Sequence, residues 1–103
     1  MGLDVVELIM QVEETFALDL PDDECEQVRT VGDLYRLVLK KLDLPYQPAT
    51  EIEILPPMFQ AKHPPWTTAK VWITLKDIIF DQLRVDGDDI RESASFQADL
   101  GAD

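Results

Sequence analysis

Three groups in this sequence are of a kind that does chemistry in proteins. His63 is the only histidine, and it stands before Pro64 and Pro65. With no second imidazole or thiolate at metal-ligand spacing, it reads as a loop residue. Cys25 is the only cysteine and lies in Asp22-Asp23-Glu24-Cys25-Glu26. Flanking carboxylates raise a thiol pKa, which is the wrong direction for a nucleophile. Asp86-Gly87-Asp88-Asp89 gathers acids. It lacks the alternating acids, the glycine at position six and the closing glutamate of a calcium loop, so it reads as a solvated turn. No glycine-rich phosphate loop and no nucleophile motif is present. Catalytic and metal-ligating residues are therefore not expected, and the chain is not expected to be an enzyme.

A different pattern points to binding. At 100° per residue, Leu3, Val6 and Met10 share one side of an N-terminal helix, surrounded by Glu7, Glu13 and Glu14, with Asp4 nearby. The chain holds nine acids and no base before Arg29. An exposed apolar strip bordered by one sign of charge suits a partner interface: the acids steer a basic partner and the strip is buried on contact. Leu3 and Met10 could instead broaden the core stripe, and periodicity alone supports both readings equally.

The elements that hold these residues follow from apolar spacing. Val5, Leu8, Ile9, Val12 and Phe16 predict a helix over 3–16 with one buried face. Asp22 is a candidate cap for a short helix over 23–27. Thr30 and Asp33 resemble a capping box with a shortened acid, opening a helix that buries Val31, Leu34, Tyr35, Val38 and Leu42. Segment 43–66 carries six of the seven prolines and reads as a linker. Its Glu51-Ile52-Glu53-Ile54 alternation suggests a short extended piece, closed by Pro56-Pro57. A last helix starts near Thr67 or Thr68 and ends near Leu83, with Trp72, Leu75, Ile79 and Leu83 as its stripe and Val71 and Ile78 beside it. Phe96 and Leu100 can dock on the bundle. The expected fold is a small all-α bundle of three to four helices in a single domain, 1–103.

Composition narrows the partners. The 103 residues are 46% hydrophobic, enough for one core, and 21 acids against 9 bases give a formal charge of −12. That surface repels phosphate backbones and anionic lipid, so nucleic acid and membrane are not expected as partners, while basic protein patches are. A lone cysteine fits a reducing compartment, and cytoplasmic localisation is expected. Asp4 and Glu7 stand where a signal peptide needs positive charge, Val6 departs from the myristoylation pattern, and no apolar run reaches membrane-spanning length.

Two stretches resemble acyl carrier proteins. Leu3-Asp4-Val5-Val6-Glu7-Leu8-Ile9-Met10 with Glu13-Glu14-Thr15-Phe16 is similar to the family's second helix. Leu20-Pro21-Asp22-Asp23-Glu24 and Thr30-Val31-Gly32-Asp33 are similar to its third and fourth. Ile78-Ile79, Gln82-Leu83, Val85 and Ala94 through Asp103 resemble its first helix and loop. The resemblance covers roughly 2–42 and 71–103, but in the reverse order. In the family, Asp-Leu-Gly-Ala-Asp runs directly into Ser-Leu-Asp; here Asp103 ends the chain and Gly2-Leu3-Asp4 begins it. This reads as a circular permutation, with 43–66 joining the former termini. Such a segment reaches up to about 80 Å when extended, which permits closure in one chain or a domain-swapped dimer.

The resemblance implies docking on enzymes of fatty-acid or polyketide metabolism through Leu3, Asp4, Val6, Glu7, Met10, Glu13 and Glu14, with Asp22, Glu26 and Val28 adding contacts. It also implies a departure. The family's serine, which carries 4′-phosphopantetheine, is replaced by Gly2. Glycine has no hydroxyl, so no cofactor is expected there. Ser93 and Ser95 match the loop before the motif and are not expected to be modified. The alternatives are a genuine acyl carrier whose serine lies beyond this chain or is supplied otherwise, and a small helical lipid-binding protein.

Overall fold

The computed structural model describes residues 3–53 and 65–101. Five α-helices occur among them: α1 (Leu3–Phe16), α2 (Asp22–Cys25), α3 (Val31–Lys41), α4 (Ala49–Ile52) and α5 (Thr68–Leu83). A 3-10 turn, Gly87–Asp89, occupies the acidic cluster. The three long helices fall where apolar spacing predicts them. α5 is the central element and packs against α1, α3 and α4. Val5, Leu8, Ile9, Val12 and Phe16 of α1 share one core with Val71, Trp72, Leu75, Ile78 and Ile79 of α5. Burying such side chains is worth about 1.5–3 kcal/mol each, and it joins segments some sixty residues apart. Phe96 and Leu100 are buried in the same core, whereas Leu42 and Leu83 lie half-buried at its edge.

The start of α3 is the best-defined junction. The Thr30 hydroxyl accepts from the Asp33 N–H at 3.1 Å, and an Asp33 carboxylate oxygen accepts from the N–H groups of Arg29 and Thr30 at 3.0 and 3.1 Å. The capping box is complete despite the shortened acid. The helix then docks on 92–96: Val31 donates to the Ala94 carbonyl at 2.9 Å, Gly32 to that of Glu92 at 2.8 Å, and Phe96 donates to that of Arg29 at 3.1 Å. At Gly32 a Cβ would lie 2.8 Å from the Glu92 carbonyl oxygen, so this approach requires glycine.

Burial alone would raise the Asp33 carboxyl, but the Arg29 and Thr30 N–H groups and the Arg36 guanidinium outweigh it and hold it below its ordinary 3.8. A group lowered on folding stabilises above its ordinary pKa and ceases to do so as pH falls through its lowered one. Asp33→Ala is therefore expected to cost about 1 kcal/mol at neutral pH. The gap from the parent should stay constant down to about pH 4 and close below it. Urea titrations across that range check both statements.

Three expectations are corrected. Asp22 does not cap α2: Pro21 holds the cap position, Asp22 is the first helical residue, and the helix ends at Cys25 instead of running to 27. Glu51-Ile52-Glu53 is not extended. A single helical turn lets Ala49 and Ile52, three residues apart, enter the core together, whereas a strand there would need a ladder partner. Ile54, Pro56 and Pro57 lie outside the described residues. Finally, the described parts of 43–66 are not a free linker. The Tyr35 hydroxyl donates to the Gln47 carbonyl at 2.7 Å and the Thr68 hydroxyl to that of Pro45. The Trp66 ring packs on that of Phe16 at a tilt of 56°, with centroids 4.6 Å apart. Proline at the α4 cap position offers no side-chain acceptor, and Glu92 supplies one from across the fold, accepting from the Ala49 N–H at 2.9 Å and from the Tyr46 hydroxyl at 2.8 Å.

Candidate functional site

The residues able to act outward are carried by α1. Its core stripe fixes the helix's rotation, so the opposite side must face water. Met10 is 57% exposed and Val6 38%, while Val5, Leu8, Ile9 and Val12 are buried. Met10 therefore does not broaden the core stripe. One turn apart, Val6 and Met10 form a continuous apolar strip. Asp4, Glu7 and Glu14 are exposed around them. The side chain of Leu3 lies outside the described residues, as do Gly2, His63 and Asp103.

Not every acid on this surface is free to meet a partner. A carboxylate oxygen of Glu13 accepts from the Leu20 N–H at 3.0 Å, and Glu13 is half-buried. Glu24 pairs with Lys41 at 2.6 Å, tying α2 to the end of α3, and that contact raises the lysine's pKa. Asp22, the first residue of α2, and Glu26, just past its end, are exposed on the same acidic segment. Val28 is a correction. It is only 8% exposed and belongs to the core, so it is not an outward contact. Cys25 lies three residues before it and is 1% exposed, and that paired spacing was the available sign of a buried turn.

Cys25 has no chemical role visible in its surroundings. Its thiol donates to the Leu20 carbonyl at 3.5 Å. Burial pushes its pKa up, and the charges of Glu13, Asp22, Glu24 and Asp23 push it further, so it stays protonated near neutrality. Among the described residues no group of three or more His, Cys, Asp or Glu is arranged to hold a metal ion. No described helix is long and apolar enough to cross a membrane. Ser95 is committed to its own turn: its hydroxyl accepts from the Ala98 N–H at 3.1 Å, and its N–H donates to Asp99 at 2.7 Å. Ser93 is exposed.

Comparison with known proteins supports the resemblance read from the sequence. The acyl carrier protein of Wolinella succinogenes is 53% identical over 37 residues, 36% of this chain and 49% of the relative. That of a Sulfurovum species is 50% identical over 37 residues, again 36% of this chain and 49% of the relative. That of Syntrophobacter fumaroxidans is 47% identical over 39 residues, 38% of this chain and 48% of the relative. The chain thus spans about half the length of the curated relatives it matches, and over that stretch it is acyl-carrier-protein-like. No family model matches. No solved structure matches.

Proposed function

We propose that this chain is an acyl-carrier-protein-like binding module whose helices follow a circularly permuted order, and that it docks on basic patches of enzymes that use acyl carrier proteins in fatty-acid or polyketide metabolism. The observation that carries the docking reading is the outward Val6–Met10 strip among Asp4, Glu7 and Glu14. Asp22 and Glu26 extend the surface, and helical spacing in the sequence assigns Leu3 to the same strip. The packing of α5 on α1 supports a single bundle built from both resembling stretches. A match limited to half of each relative is also what a permuted chain gives when aligned in linear order.

The family's cofactor does not fit the residues present. The position that resembles the modified serine is Gly2, which has no side-chain oxygen for a phosphodiester. The reading is therefore a docking module without covalent phosphopantetheine, and intact mass should stay unchanged after co-expression with a phosphopantetheinyl transferase. A mass increase would favour the alternative of a genuine carrier, modified at another hydroxyl such as the exposed Ser93.

Docking is tested by titration against a ketosynthase that accepts acyl groups from acyl carrier proteins. Affinity is expected to fall as salt rises, because exposed charges are screened over roughly 8–10 Å. Met10→Ala is expected to weaken binding by up to about tenfold through lost apolar contact, with the salt slope unchanged. An affinity indifferent to both would remove α1 as the recognition surface.

A further inference from the structure

We infer that Glu13 is a positioning residue of the docking surface and not one of its partner contacts. This rests on the docking reading above. Glu13 holds the loop that joins α1 to α2, and so sets where Asp22 and Glu26 stand relative to the acids of α1. It is bonded to that loop twice. Its backbone carbonyl accepts from the Leu18 N–H at 3.0 Å, and its side-chain carboxylate accepts from the Leu20 N–H at 3.0 Å. Just before them Ala17 is left-handed, with φ of 55°, which turns the chain back toward Glu13 at the helix end. Leu20 is only 4% exposed, so its amide has little access to water as an alternative partner. α2 begins two residues later, and Pro21 accepts from the N–H groups of Glu24 and Cys25. The Leu20 carbonyl also receives the Cys25 thiol. The register of α2 therefore follows from Leu20, and Leu20 is held by Glu13. Glu7 and Glu14, by contrast, are exposed.

A direct contact and a strut respond differently to two substitutions that remove the same charge. Glu13→Gln keeps an acceptor oxygen at the same reach, whereas Glu13→Ala removes it. The measurements are amide exchange at Leu20 and titration against the ketosynthase. Glu13→Ala is expected to speed Leu20 exchange about tenfold or more, since a buried donor loses its acceptor, and to weaken docking about fivefold. Glu13→Gln is expected to stay within about threefold of the parent in both. Equal weakening of docking by the two variants would make Glu13 a charge contact and overturn the inference. So would unchanged Leu20 exchange in Glu13→Ala. If the parent itself fails to bind, the docking reading fails on its own, and Leu20 exchange still decides whether Glu13 holds the loop.

Discussion

Trp72→Ala is expected to lower the stability of the domain by about 3–5 kcal/mol, a large fraction of the roughly 5–15 kcal/mol available to a domain of this kind. Trp72 is fully buried on α5, the helix against which α1, α3 and α4 all pack. Its ring meets that of Tyr35 edge-on, with centroids 5.1 Å apart. Collapse into the vacated space is obstructed, because moving Tyr35 would break its 2.7 Å hydrogen bond to the Gln47 carbonyl. Burial drives the phenol pKa up to beyond its ordinary range, and the Glu92 charge adds to the shift, so the hydroxyl remains a donor at all working pH. A contrasting substitution separates volume from polarity. The indole N–H of Trp72 is buried with no acceptor among the described residues, and such a group is costly to desolvate. Trp72→Phe keeps an aromatic ring and deletes that N–H, so its cost should stay below about 1.5 kcal/mol. Urea unfolding of the three proteins checks this through the midpoints at constant slope. A phenylalanine variant as unstable as the alanine variant would mean that the cavity does not govern the site.

The difference between what was legible in the sequence and what was not lies in the range of the interactions. α1, α3 and α5 are long enough to show an apolar period, and Thr30 with Asp33 encodes a helix start within four residues. α4 is a single turn with no period to read, set among prolines that argue for a linker. What holds it is the carboxylate of Glu92, more than forty residues away, which receives Tyr46 and the Ala49 N–H and faces Arg36 at 3.5 Å. Nothing local marks that glutamate. The proposed docking surface divides in the same way. Exposure of Met10 is one side of an evenly balanced choice that only packing resolves. Glu13 looked like Glu14 because composition cannot distinguish a carboxylate facing solvent from one that receives the N–H of a returning loop. Val28, flanked by charged and polar residues, looked equally outward until its neighbour Cys25 proved to be buried with it.

Reversing the charge of Glu7 and Glu14 together is expected to weaken docking by about tenfold or more at low salt, with the deficit shrinking as salt rises. The two residues are two helical turns apart and so share a side of α1, flanking the strip on which Val6 and Met10 are exposed. Lysines there would present cations to a basic patch, adding repulsion to the lost attraction. The fold should be almost indifferent. Both side chains are exposed, and surface substitutions away from special contacts change stability by about 0.5 kcal/mol or less. With 21 acids against 9 bases, replacing two negative charges by two positive ones also relieves self-repulsion. The comparison therefore needs two readouts, a thermal or urea midpoint and a titration against the ketosynthase at two salt concentrations. Unchanged midpoints with a salt-dependent loss of affinity would locate recognition on α1. A double variant that binds like the parent at both salt concentrations would leave the acids of α1 as a solubilising face, with the partner-binding surface elsewhere on the bundle.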